Sequence, residues 1–346
     1  MRNLNRHFLF WALLLLCTSA QAQTTALANP FEKIDARARA CPREATQSIE
    51  TLAAYLEKGT SSDLEKARSI FIWLTQFISY DDEGYNNDRD HIWTAQDILK
   101  RRKALCSGFS DLYAALGKAM KLQIKKIDGY AKGVSFRPGT HFKESNHSWN
   151  IIKIAGNWHI FDATWGQGSS VTSNGLLNSK KDFDPFWFDV NPYAAIFSHL
   201  PEDSTFALIH PVVDLPKFEK MPDISTKYFE MGFDAADAYR NFGKNNNLKL
   251  PECYDFEASL KFVTAPQYAQ LSLGKTYTFE CVNPKAIKMA VMDAKKKWTY
   301  FEPNNGVYKF EYKPVTVGDL RILAWFPNKN NTYSTLLLYQ AKTAKP

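Results

Sequence analysis

The chain has 346 residues, 45% of them hydrophobic and 23% charged. That balance excludes a disordered or fibrous protein, and the length suits two domains or one domain with a helical preface. The formal net charge is +7, and the basic runs Lys100-Arg101-Arg102-Lys103 and Lys295-Lys296-Lys297 are short and separated, so solvated surface is expected there and a nucleic-acid groove is not.

The first 22 residues are set apart by pattern. Arg2 and Arg6 precede an apolar run from Phe8 to Leu16, and Ala20-Gln21-Ala22 is a small-x-small cleavage sequence. These features predict a signal peptide, a mature chain starting near Gln23, and a secreted or periplasmic location. No later stretch is apolar for long enough to cross a bilayer as a helix.

Residues 42–58 carry Ile49, Leu52 and Leu56 on one helical face. Ser62 and Glu65 read as a capping box opening a helix lined by Leu64, Ala67, Phe71, Leu74 and Ile78. Turn chemistry over 80–84 ends it, and Thr94-Ala95-Gln96-Asp97 starts a shorter helix. Next, Phe109, Leu112, Tyr113, Leu116 and Met120 form a buried helical stripe with Cys106 at its N-terminal edge. Strand patterns follow over 123–132, 147–154 and 158–165. Residues 166–180 read as a loop, and Pro201, Pro211, Pro216 and Pro222 suggest an extended surface linker. Strand-like runs at 254–262, 276–282, 286–292, 307–313, 319–326 and 333–339 then predict a β-sandwich. Helices first and antiparallel strands after describe an α+β protein.

A cysteine at a helix N-terminus is unusual chemically. Free amides and the helix dipole favour the thiolate, which is the nucleophile. Taken singly, Cys106 reads as a small buried hydrophobe and His147 or Asp162 as a structural side chain. Their arrangement argues otherwise. Asn146 to Ile154 and Trp158 to Trp165 flank a turn at Ala155-Gly156. With those two as loop residues, His147 faces Thr164 and Trp149 faces Asp162. His147 and Asp162 are then diagonal neighbours on one face, roughly 7–8 Å apart at the backbone, and moving the turn by one residue keeps both there. A carboxylate beside an imidazole fixes its tautomer and stabilises its charged form, while the other ring nitrogen serves the thiol. Trp149, Trp158 and Trp165 read as core as readily as a groove lining, and Asn150 as a residue orienting the hairpin. His141, His159, His199 and His210 read as structural. The glycosylation sequon Asn146-His147-Ser148 overlaps this candidate site. Cys41, Cys253 and Cys281 are the other cysteines after residue 22, and whether Cys253 and Cys281 bridge is left open by sequence. No CxxC or His-x3-His spacing points to a metal.

The segment from Ala104 to Ser110 resembles the nucleophile segment of transglutaminase-like proteins. His147-Ser148-Trp149-Asn150 and Trp158 to Trp165 resemble their His and Asp strands, and Trp73 to Asp81 their upstream segment. Phe186-Trp187-Phe188 and Ile196 to Pro201 are similar to the subgroup typified by kyphoscoliosis peptidase. The resemblance spans about 65 to 225. It implies a papain/transglutaminase-like core with Cys106, His147 and Asp162 as a triad, acting through a thioester on a peptide bond or glutamine amide. The calcium-binding acidic clusters of animal transglutaminases are not apparent, so no cofactor or metal is expected. The partner expected is a protein or peptide substrate, cell-wall peptide included. Hydrolysis is the first expectation; protein cross-linking and a non-catalytic scaffold retaining the fold are the alternatives. The expected organisation is a signal peptide over 1–22, a helical segment over 23–60, a catalytic domain over 61–225 with a wrapping linker, and a β-rich, Ig-like region over 226–346.

Overall fold

A computed structural model describes residues 29–343, apart from 88–92, 135, 138, 243, 245–248, 255–259, 284 and 328–331. The segment read as a signal peptide lies outside the described residues.

Helices α1 (Glu32–Arg39), α2 (Ile49–Glu57) and α3 (Asp63–Phe77) come first. Ser48 caps α2, and the Ser62 hydroxyl accepts from the Glu65 amide at the start of α3. The Glu65 carboxylate reaches back to the Ser61 amide, one residue earlier than a capping box requires. Asp35 on α1 and Arg68 on α3 form a two-pronged ion pair, both contacts 2.8 Å, with 1% and 6% of the two residues exposed. Strand β1 (Ser79–Tyr80), helices α4 (Asp82–Asn86) and α5 (Ala95–Arg101), and strand β2 (Lys103–Ala104) lead to α6 (Cys106–Ala119). β1 and β2 pair in parallel, fixing the chain just before Cys106.

Strands β3 (Ile124–Ala131), β4 (His147–Ile154) and β5 (Asn157–Phe161) follow α6. Ile154 pairs with Asn157 and Asn150 with Phe161, so Ala155-Gly156 is the two-residue turn and the register is the expected one. Both turn residues have positive φ, 49° and 88°, as the hairpin twist requires. The strand ends at Phe161, however. Asp162 caps the short helix α7 (Ala163–Gln167) instead of continuing the ladder. Residues 166–180, expected as a loop, hold a hairpin of β6 (Gly168–Ser173) and β7 (Leu176–Lys181) turning at Asn174-Gly175. Then come β8 (Phe188–Val190), α8 (Pro192–Ala195) and β9 (His199–Pro201). The central antiparallel sheet runs β8-β5-β4-β3-β9, with α6 packed against β3 and β4.

The segment expected as an extended linker contains α9 (Leu215–Lys220), and α10 (Thr226–Glu230) and α11 (Ala235–Phe242) open the region expected to be β-rich, ahead of its first expected strand. Phe218, Tyr228, Tyr239 and Phe242 bury their side chains in a core shared with the C-terminal strands. Those strands are β10 (Glu252–Cys253), β11 (Lys261–Thr264), β12 (Gln270–Ser272), β13 (Tyr277–Val282), β14 (Lys288–Met292), β15 (Trp298–Phe301), β16 (Val307–Tyr312), β17 (Gly318–Trp325) and β18 (Tyr333–Lys342). One sheet runs β10-β18-β17-β14-β15, with β12 also on β18, and the other runs β11-β13-β16. Phe279 meets Tyr339 edge-on and Phe301 stacks on Phe310, joining the two inner faces as in a sandwich. Cys41, Cys106, Cys253 and Cys281 are all free thiols. The fold is α+β: helices on an antiparallel sheet, then a strand-rich region. Among the described residues no helix is long and apolar enough to cross a membrane.

Replacing Asp35 by Ala strands the buried Arg68 guanidinium without its partner. Chemical denaturation is expected to show a loss of about 3–5 kcal/mol; a loss under about 1 kcal/mol, the range of an exposed pair, would contradict the role given to this contact.

Candidate active site

Cys106 is the first residue of α6, and Leu105 before it supplies no side-chain cap. The first amides of the helix therefore remain available beside the sulfur. Gly108 seats this turn: a Cβ there would lie 2.8 Å from the Ala104 Cβ and 2.9 Å from the Ile98 Cδ1. Asn150 donates to the Ser110 carbonyl at 3.1 Å, fastening β4 to the same end of α6.

That anchorage places the start of β4 against the thiol. His147 and the Ser148 backbone amide are the groups that act on the Cys106 sulfur to lower its thiol pKa, and Cys106 in turn raises that of His147. The His147 Nε2 lies 2.7 Å from the Asp162 Oδ2, which leaves Nδ1 for the sulfur. Asp162 reaches this point because it is a helix cap: its Oδ1 accepts from the Thr164 amide at 2.8 Å and the Trp165 amide at 3.0 Å. One carboxylate thus ends β5, starts α7 and holds the imidazole. Cys106, His147 and Asp162 are brought together as the sequence reading expected.

The electrostatics follow from this packing. Burial opposes charge on all three groups. The His147 hydrogen bond and charge, with the Ser148 amide, outweigh it at Cys106 and set the thiol below its ordinary value. At His147, burial is outweighed by the Asp162 charge and hydrogen bond and by Cys106, which raise the imidazole to about 10. Both imidazoles beside Asp162 hold its carboxyl well below the usual carboxylate range against its own burial. The combination favours a thiolate–imidazolium pair over a neutral thiol and imidazole.

His199 was expected to be merely structural; instead it joins the site. Its Nε2 lies 3.1 Å from the same Asp162 Oδ2, and its Nδ1 lies 2.8 Å from the Ser198 Oγ. Sequence offers one signal for it, a Ser-His pair inside an apolar stretch, where buried polar groups must find partners. The other described histidines lie elsewhere: His141 pairs with Glu219 and His159 with Asp189, while the His210 backbone contacts Tyr193. Trp149, Trp165 and Trp187 surround the two site imidazoles. Asn146, the sequon residue, is held by both its amide atoms to the Ala131 backbone. Ligand atoms of His147, Asp162 and His199 lie within 4.8 Å of one another, a spacing one metal ion could bridge. Each is buried and already committed to the hydrogen bonds just described.

A cleft of about 790 Å³ opens beside the cluster, with His147, Thr164, Trp165, Tyr80, Lys132 and Asp184 on its wall. Cys106, itself half-buried, does not line that cleft. Burial and the nearby Cys106 charge push the Tyr80 phenol well up, so it stays protonated. Burial pushes Lys132 down to about 8, with Asp223 partly opposing; its ammonium contacts the Met221 carbonyl at 2.7 Å.

Residues 50–163 match the family model described as the transglutaminase-like superfamily. This stretch is a transglutaminase-like domain. The mouse and human kyphoscoliosis peptidases are each 25% identical over 90% of this chain. Hillarin of Drosophila melanogaster is 26% identical over 60% of it. The chain spans 43% of the length of the two kyphoscoliosis peptidases and 26% of Hillarin. A solved structure from Cytophaga hutchinsonii, described as a candidate cysteine protease, is 23% identical with a TM-score of 0.29, covering 42% of this chain and 46% of its own. A score that low adds nothing to the geometry.

Asp162→Asn keeps a helix cap but not an anion between the imidazoles. Alkylation of Cys106 at neutral pH is expected to slow by roughly tenfold or more, the equivalent of one charge-assisted hydrogen bond. An unchanged rate would mean that the carboxylate does not support the imidazolium.

Proposed function

We propose that this protein is an exported, cysteine-dependent acyl-transfer enzyme that hydrolyses peptide or amide bonds, with Cys106 as nucleophile, His147 as acid–base and Asp162 as its support. One observation carries the reading. Cys106 and His147 act on one another and are displaced in opposite directions, each toward its charged form. The half-buried Cys253 shows the reverse: burial pushes its thiol up to about 12.

In the proposed reaction the thiolate forms a bond to the carbonyl carbon, and the carbonyl π pair moves onto oxygen. The Cys106 amide at the uncapped helix start and the protonated Tyr80 phenol are the donors suited to that oxyanion. Collapse breaks the C–N bond, and the amine leaves with the proton of the His147 imidazolium. Water then gives a proton to His147 and attacks the thioester; the C–S bond breaks, releasing the acid and restoring the ion pair. The residue range 1–22 supports export, and the name of the kyphoscoliosis peptidases supports hydrolysis over cross-linking. An amine in place of water would give cross-linking through the same thioester.

Product masses after incubation with a peptide library, with and without added amine, test this. Hydrolysed peptides that disappear with Cys106→Ala are the expected result, and peptide–amine adducts would assign the transferase reaction instead. No turnover of any peptide, together with an ordinary, slow Cys106 thiol, would leave a scaffold and overturn the proposal.

A further inference from the structure

We propose that His199 is a positioning residue of this site, whose Nε2–H holds the Asp162 carboxylate in the orientation His147 needs. The inference deepens the catalytic reading above and rests on it for its functional meaning, but the geometry behind it is separate. The Asp162 carboxylate meets four donors: the Thr164 and Trp165 amides on Oδ1, and His147 and His199 on Oδ2. They come from three places, the start of α7, the start of β4 and the start of β9. Without His199, Oδ2 keeps a single donor, and that donor is the group it is meant to position.

The direction of each hydrogen bond follows from elementary chemistry. His199 is 3% exposed. Burial lowers its basicity, and the hydrogen bond to Asp162 only partly offsets this, so the ring is neutral and carries one N–H. A carboxylate can only accept, so that proton sits on Nε2. Nδ1 is then a bare acceptor, and the Ser198 hydroxyl must donate to it across 2.8 Å. The same hydroxyl has a longer contact, 3.3 Å, to the Ala195 carbonyl, but it has only one hydrogen to give. A directed chain results: Ser198 to His199 to Asp162, with Asp162 accepting from His147 on the other side.

The surroundings make that donor hard to replace. The His199 ring centroid lies 4.4 Å from Trp165, 4.9 Å from Trp187 and 5.1 Å from Trp149. In such an apolar box a missing donor leaves a carboxylate lone pair unsatisfied. The position is also built into the sheet. Ala131 pairs with His199 and Gly129 with Pro201, and a Cβ on Gly129 would lie 2.3 Å from the Leu200 carbonyl oxygen and 2.6 Å from the Trp149 ring. Glycine at this position is what lets β9 approach closely enough for His199 to reach Asp162.

His199→Phe keeps an aromatic ring in the box and removes the donor. His199→Gln loses the ring and places an amide N–H near the old Nε2. A packing role predicts that Phe is tolerated at least as well as Gln; a positioning role predicts the opposite order. Two readouts apply to the full-length protein: the Cys106 alkylation rate at neutral pH, and the low-field proton resonance of the His147 Nε2–H. The expected result is a rate loss of about tenfold with Phe, with the resonance lost to solvent exchange, and substantial recovery of both with Gln. If Phe matches or exceeds Gln in both, His199 is packing and the proposal is overturned. If wild-type Cys106 alkylates slowly yet the resonance follows the order Gln above Phe, the positioning role stands and the catalytic reading falls.

Discussion

A carboxylate buried to 1% exposure is tolerable only if its charge is met on every side, and Asp162 is the group around which this half of the molecule is organised. Two helix-start amides and two imidazoles supply its partners. The negative charge so fixed favours a positive charge on His147, and that charge in turn favours a negative one on Cys106. Each ionised group is costly alone in such a setting and becomes affordable only through the next. The sulfur's reactivity is thus a property of the whole row, and the fold brings each member from a different element.

Several features otherwise hard to explain follow from this need. β5 stops at Phe161 so that Asp162 can cap α7 while facing β4. Asn150 ties β4 to the first turns of α6, so imidazole and thiol cannot drift apart independently. Gly108 and Gly129 stand where a side chain would push α6 off α5 or β9 off β3. The tryptophans pack around the imidazoles, and the cleft reaches the cluster at His147. The distant ion pair of Asp35 and Arg68 holds α1 onto α3 behind the site.

Much of this was legible in the chain because short-range rules governed it. Hairpin parity put His147 and Asp162 on one face, and the apolar stripe from Phe109 to Met120 put Cys106 at a helix start. Asn174-Gly175 is an equally strong turn signal, but its flanks are mostly polar and mostly exposed, with no sustained apolar alternation, so β6 and β7 read as a loop. Helices α9 to α11 are short and begin amid prolines and turn residues; they are held by burying Phe218, Tyr228 and Phe242 against strands far along the sequence. His199 was missed for the same reason. Its partner lies 37 residues away, on the far side of β3 and β4, and no local periodicity encodes that meeting.

The ultraviolet thiolate absorbance of Cys106, taken as wild type minus Cys106→Ala across pH, reads the central charge pair directly. The signal should persist below the ordinary thiol pKa of about 8.5, fading only as pH drops through the depressed value, and His147→Gln should move its midpoint upward. A midpoint at the ordinary value, indifferent to the loss of His147, would contradict the account.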